Sequence, residues 1–448
     1  MTRRNHNAVH VTIMLVISMG RPVAAVEYDI TVMVDETGAG GVNTLDAPSN
    51  IAVDPAGNLF VAGALSGNVL RITPDGQITE IIDASGDGQG ATLSGAYGLA
   101  VNDSGHVFVG GTTSDNVFKI TPGGEITEII SPAGDEMGGD LNQVGSIAVG
   151  SNGNVYVSGV ISGNLLRASL GGIDEIMNHQ HGLNTPTRVR VNEQGDAFVL
   201  GYGIIYRVTA DGYRYEHLDS FNDLPGVYFE SVADFDFDTD GNLYLVGINS
   251  DNVLRVSPDG DIEEIINADG DGAGNMLDQP YRIAFDNDNN AYVVGYGSNN
   301  VFKVTTNGEI TQIIEVDGDG QGNTLNRPSA IAIDSQNRVF VLASQSDKVF
   351  RLTPIEEPGQ VDATEPESEG TVDEPTEEAT NPDDSPVTGG PTEATVTEDM
   401  PDVPASTVCG SGMPMATPLL MLAFGGATGR IRRRNGSACE ASENSDSN

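Results

Sequence analysis

The sequence predicts an all-β fold, a seven-bladed β-propeller of four-stranded blades, and three observations carry that reading. One unit recurs along the chain, starting at Leu45, Leu93, Leu141, Leu183, Phe229, Leu277 and Leu325, at intervals of 42 to 48 residues. Periods of that length belong to propellers and solenoids. Each copy holds four short runs of β-favouring residues separated by Gly, Pro, Asp and Asn, as a four-stranded blade requires. With 56 Gly, no Trp and 38% apolar residues, the composition suits many short strands and tight turns better than long packed helices.

In the first copy the four strands are expected at residues 50–53, 59–62, 69–73 and 78–82. Asp54-Pro55-Ala56-Gly57 turns the chain between the first two, and Pro74-Asp75-Gly76 between the last two. The Gly57 column reads Gly105, Gly153, Gly195, Gly241, Asn289 and Asn337 in the other copies, all residues that tolerate a left-handed backbone. The seventh copy stops after three strands at Leu352-Thr353-Pro354, while an orphan strand at 30–35 precedes the first copy. That N-terminal strand is expected to complete the last blade, closing a ring over residues 26–354 and leaving no open sheet edge at the junction.

Outside the ring the composition changes. Arg3 and Arg4, an apolar run at 11–20 and the exit Val23-Ala24-Ala25 form a signal-peptide pattern over 1–25, with cleavage after Ala25. Residues 355–408 are rich in Pro, Thr, Glu and Asp and contain no Lys or Arg, which predicts a disordered acidic stalk. Then follow Cys409-Gly410, a short apolar helix expected within 413–427, and Arg430, Arg432, Arg433 and Arg434, which together make 409–434 a sorting or membrane-anchor segment. A polar tail at 435–448 ends the chain. The two cysteines, Cys409 and Cys439, both lie beyond the ring, so no disulfide holds it together. With 65 Asp plus Glu against 21 Lys plus Arg, the formal charge of −44 repels nucleic-acid phosphates and excludes a nucleic-acid partner.

The blade opening PSNIAVDPAGNLFV from Pro48, followed by NVLRITPDG from Asn68, resembles the repeats of NHL and streptogramin-lyase-like propellers. The resemblance covers 26–354 and implies the propeller fold; such blades serve hydrolases, lyases, lactonases and binding modules alike. Streptogramin lyases depend on His and Glu near a Mg²⁺ on the channel face, and no histidine here matches that motif. Gluconolactonase-like propellers hold Ca²⁺ in the channel by Glu, Asn and Asp, a set that Glu230, Asp234 and Asn50 imitate without the spacing. The C-terminal order of Cys-Gly, helix and arginines resembles the MYXO-CTERM and GlyGly-CTERM sorting signals, which would make Cys409 and Gly410 the processing or lipid-attachment point.

Ligands of such a ring are expected on the face carrying the loops from the fourth strand to the next blade. Three of those loops, from Asp83, Asn267 and Glu315, alternate Asp and Gly, and Asp83, Asp87, Asp269, Asp271, Asp317 and Asp319 are the candidate ligands for Ca²⁺. The competing reading is that Gly turns these loops and Asp solvates them. A cation stands on every third strand, at Arg71, Lys119, Arg167, Arg207, Arg255, Lys303 and Arg351, and acids of the fourth strand such as Glu80 and Glu128 are the expected partners.

At the start of each first strand the copies differ, although their surroundings are uniform. Tyr97, Arg188, Asp234, Tyr281 and Arg282 at these places are the candidate contacts to a small polar ligand at the channel mouth. Weak catalytic candidates are His179 and His181, a His-x-His in the loop after the third copy, with Glu230 and Asp234. The chain therefore reads as an exported, monomeric, surface-anchored propeller that binds a small polar ligand, a polysaccharide or an envelope protein. The alternatives are a metal-dependent lyase or lactonase using Ca²⁺ or Mg²⁺ on the same face, and a Ca²⁺-stabilised structural envelope protein.

Overall fold

The computed structural model describes residues 27–38, 44–192, 194–220, 222–224 and 227–355. The expected signal peptide with Ala25, the stalk, the apolar helix, Cys409 and Gly410 lie outside the described residues. Within them the chain forms seven four-stranded antiparallel sheets. The first blade consists of Pro48–Val53, Leu59–Gly63, Asn68–Ile72 and Ile78–Ile82, within two residues of the sequence expectation. Closure is as expected. Tyr28–Val34 pairs antiparallel with Lys348–Pro354, Ile30 opposite Leu352 and Val32 opposite Phe350, and supplies the outer strand of the seventh blade.

The second strand of each blade is buried along its whole length, as in Leu59–Gly63 and Val339–Ala343, because a neighbouring blade covers each of its faces. Those strands accordingly read as unbroken apolar runs rather than as alternating ones. Seven hydrophobic clusters hold the ring, one at each seam between blades. An aromatic residue at the same place in every second strand (Phe60, Phe108, Tyr156, Phe198, Tyr244, Tyr292 and Phe340) joins its blade's cluster to the next blade.

A buried asparagine at the start of the third strand fastens the loop above it. Asn68 Nδ2 donates to the Thr44 carbonyl at 3.0 Å and to Glu80 Oε1 at 2.8 Å. Asn116, Asn164, Asn252 and Asn300 repeat the arrangement with Glu128, Glu175, Glu264 and Gln312. The expected pairing of Glu80 and Glu128 with the third-strand cations is therefore corrected. Arg71 lies opposite Thr79 in the ladder, so Glu80 is presented on the other face of the sheet, toward Asn68. Two cations do pair with acids of the fourth strand as expected, Arg167 with Asp174 at 2.8 Å and Arg255 with Glu263 at 2.7 Å, while Arg207 pairs with Asp196 and Lys303 with Asp286 at 3.4 Å.

Candidate functional site

The seven inner strands, from Pro48–Val53 to Pro328–Ile333, surround the channel, and each enters it by the same two steps. The residue before the strand has a left-handed backbone: Ala47, Gly95, Gln143, Thr185, Ser231, Gln279 and Arg327, with φ between 42 and 68°. In three blades an Asp or Asn of the preceding blade holds its amide, Asp115 on Gln143, Asp251 on Gln279 and Asn299 on Arg327. The ladder register then shifts at the strand's second residue, which is left without a partner at Ser49, Tyr97, Gly145, Thr187, Ala233, Tyr281 and Ser329. A bulge of this kind re-aims side chains. It presents the second and third residues of each inner strand, the columns in which the copies differ, at the mouth of the channel.

Tyr97, Arg188, Arg190, Asp234 and Arg282 are among the residues lining a cavity of about 180 Å³ there. Tyr281 lies behind its wall, with the Arg282 guanidinium 4.2 Å and the Arg188 guanidinium 5.9 Å from its ring centre. Both arginines take the same pose, each donating Nη1 to the carbonyl of the preceding residue, at 2.7 Å for Arg188 and 3.0 Å for Arg282. Arg188 and Arg282 are 7% and 8% exposed, so their charges are nearly removed from bulk water. Burial would push the Tyr281 phenol up, but the two guanidiniums and a hydrogen bond from Tyr97 outweigh it and bring it down to about 7. Tyr97 shifts the opposite way, raised first by the charge on Tyr281 and then by burial.

Asp234 is fully buried. Its carboxylate lies 3.0 Å from Arg190 Nη2 and 3.4 Å from Arg188 Nε, and it accepts from the Ile283 amide at 3.4 Å. Expected as a ligand contact and as a catalytic candidate, Asp234 lines the cavity while its oxygens meet Arg190, Arg188 and the Ile283 amide, so it fixes the two arginines.

Arg190 is the member of this group that the sequence reading missed. In its column five blades carry alanine (Ala52, Ala100, Ala148, Ala284 and Ala332), and only the adjacent fourth and fifth blades depart, with Arg190 and Asp236. The two pair at 3.4 Å. Burial raises the Asp236 carboxyl despite this partner. Beside them a cleft of about 850 Å³, lined by Phe198, His217, Phe237 and Val256, opens between these two blades, and Arg190 borders both it and the channel cavity.

The weak catalytic set is not brought together. His179 and His181 sit in a short 3₁₀ turn, exposed, with Nδ1 of His179 2.9 Å from the Leu183 carbonyl and Nδ1 of His181 accepting from the Asn178 amide at 3.2 Å. Glu230 is exposed and accepts from the Tyr228 hydroxyl at 2.9 Å. Neither histidine nor Glu230 lines the channel cavity.

In the Asp-Gly loops the side chains cap the loops' own amides. Asp83 Oδ1 accepts from the Ser85 amide, Asp87 Oδ1 from Gln89 and Ala91, Asp271 Oδ1 from Ala273 and Asn275, and Asp319 Oδ1 from Gln321 and Asn323. No side-chain hydrogen bond is found for Asp269 or Asp317 among the described residues, and no group of three His, Cys, Asp or Glu there is placed to hold a metal ion.

A family model described as Beta-propeller repeat matches residues 272–303. Virginiamycin B lyase from Staphylococcus aureus superposes over 73% of this chain and 100% of its own, with a TM-score of 0.55 at 19% identity. A streptogramin B lyase structure does so over 74% and 97%, with a TM-score of 0.55 at 16% identity. The fold is that of a streptogramin-lyase-like propeller. The extracellular domain of a one-component system from B. thetaiotaomicron is also similar, over 74% of this chain and 40% of that one, with a TM-score of 0.52 at 12% identity. No curated protein matches the chain. The Mg²⁺ implied by resemblance to the lyases does not fit this channel mouth, because a divalent cation there would face Arg188, Arg190 and Arg282 and find the Asp234 oxygens engaged.

Proposed function

We propose that the protein is an exported, surface-held propeller that binds a small polar ligand at the channel mouth. One observation carries the reading: Tyr97 from the second blade, Arg188 from the fourth and Arg282 from the sixth, all in columns where the copies differ, converge on a single small cavity. Residues held in place by unusual backbone and bulges, at the end of a rigid ring, are positioned for recognition rather than for packing. A cavity of about 150 Å³ accommodates one benzene-sized molecule, so the space suits one polar head group of a larger ligand. The basic start and apolar run at 11–20 support export, and the apolar segment with its arginines beyond Cys409 supports retention at the surface.

The reading is tested by thermal-shift screening of the full chain against small polar metabolites and oligosaccharides, followed by the hits on Tyr97→Ala. Binding raises the melting temperature by mass action, and the rise is expected to disappear in the variant. Hits that persist unchanged in Tyr97→Ala place recognition elsewhere and refute the site.

A further inference from the structure

The charges around the cavity do not balance. Three guanidiniums, Arg188, Arg190 and Arg282, face two carboxylates, Asp234 and Asp236. Both acids are taken by Arg190 and Arg188, and Arg282 has no carboxylate within 4.0 Å among the described residues although it is 8% exposed. The buried Nε of Arg188, 3.4 Å from Asp234, is an ion-pair contact that falls short of a hydrogen bond. A buried charge without a partner is costly, so the site is short of one negative charge.

Among the described residues, Tyr281 is the group placed to supply it. Tyr281 lies under Arg282 and beside Arg188 and packs against Tyr296 with ring centres 5.5 Å apart. Arg327 stacks over Tyr296 at 5.3 Å and adds a further cation at the rim. The charged and titratable surroundings of Tyr281 are thus Arg188, Arg190, Arg282 and Arg327, Asp234, Tyr97 and Tyr296.

Resting on the channel mouth being the binding site, we propose that the cavity takes the oxyanion group of a ligand, a carboxylate, sulfate or phosphate ester, between Arg188 and Arg282, and that the Tyr281 phenolate is the internal counter-ion it replaces. Guanidiniums are suited to this because their planar donor fork matches an oxyanion. When Tyr281 is protonated the surplus positive charge is available to the ligand. When Tyr281 is ionised the surplus is already satisfied, and the ligand is opposed.

The test is calorimetric titration of the full chain with sodium sulfate, whose charge is constant over the range, at pH 6.0 and pH 8.5 and fixed ionic strength. With Tyr281 titrating at about 7, the fraction of protein ready to bind falls about 30-fold between those conditions, and the apparent affinity is expected to follow. Tyr281→Phe should bind sulfate equally at both pH values, and Arg282→Gln should bind at neither. No sulfate binding at pH 6.0 by the wild type or Tyr281→Phe overturns the oxyanion site, while a neutral ligand still lost in Tyr97→Ala leaves the broader binding reading standing. Equal wild-type affinity at the two pH values overturns the counter-ion role, and unchanged binding by Arg282→Gln overturns the assignment of the site.

Discussion

Replacing Asp234 by alanine tests the account of the channel at its most buried point. The carboxylate is removed from water, with Arg190 at 3.0 Å, Arg188 at 3.4 Å and the Ile283 amide at 3.4 Å. Asp234→Ala leaves three guanidiniums facing Asp236 alone, and breaking a buried pair from one side costs about 3–5 kcal/mol. For a ring of this length, unfolding entropies of about 2.1 cal/mol/K per residue convert that loss into a fall of about 4–7 °C in melting temperature. Arg190→Ala restores the alanine of five other blades and leaves Asp234 with Arg188 and the Ile283 amide, so it should cost less. The double variant should lose less than the sum of the two, by a coupling of about 0.5–3 kcal/mol. Scanning calorimetry of the four proteins at pH 7 reads these shifts. A fall of under about 1 °C for Asp234→Ala, far short of the loss that a broken buried ion pair entails, or strict additivity in the double variant, would refute the ion-pair reading.

Three further outcomes follow from the loops and ladders. Asn68→Ala removes the donor to Thr44 and Glu80 and should cost about 1–3 kcal/mol in denaturant unfolding, with Asn68→Asp no better because it lacks the amide donor. Gly86 and Gly88 share a φ of 68°, but a Cβ on Gly86 would collide with the Ala91 carbonyl whereas one on Gly88 meets open space. Gly88→Ala should therefore show only the left-handed penalty of about 1–2 kcal/mol, and Gly86→Ala a distinctly larger loss in the same melting experiment. Asp87→Asn keeps an acceptor for the Gln89 and Ala91 amides and should melt as the wild type does, with or without Ca²⁺; a Ca²⁺-dependent rise that this substitution abolishes would make the Asp-Gly loops metal sites.

The ring was legible because its information is periodic. Repeat openings every 42 to 48 residues, a Gly57 column confined to residues that accept positive φ, and an orphan strand at one end with a missing one at the other each state the same closed architecture. Part of the site was legible for the opposite reason: Tyr97, Arg188 and Arg282 break an otherwise uniform pattern at the strand starts, and the cavity is built there. What failed was reasoning about which face a residue occupies. Glu80 lies one residue away from the partner opposite Arg71, and in a ladder with a period of two that places it on the far side. Arg190 lies beyond the strand starts at which the copies visibly differ, and its meaning emerges only beside the alanines of five other blades. Asp234 was found by position but not by role, since sequence does not reveal that two arginines claim its oxygens.

The strand that completes the seventh blade also decides how the ring meets mechanical force. Lys348–Pro354 is the last described strand before the chain leaves at Ile355, whose amide donates to the Glu27 carbonyl at 2.8 Å. It is not an edge strand, because Tyr28–Val34 borders it on one side and Val339–Ala343 on the other. Tension entering through residues beyond Ile355 is therefore shared between two ladders, one of them made by the opposite end of the chain. Peeling the exit strand away requires breaking the ring closure and the blade together.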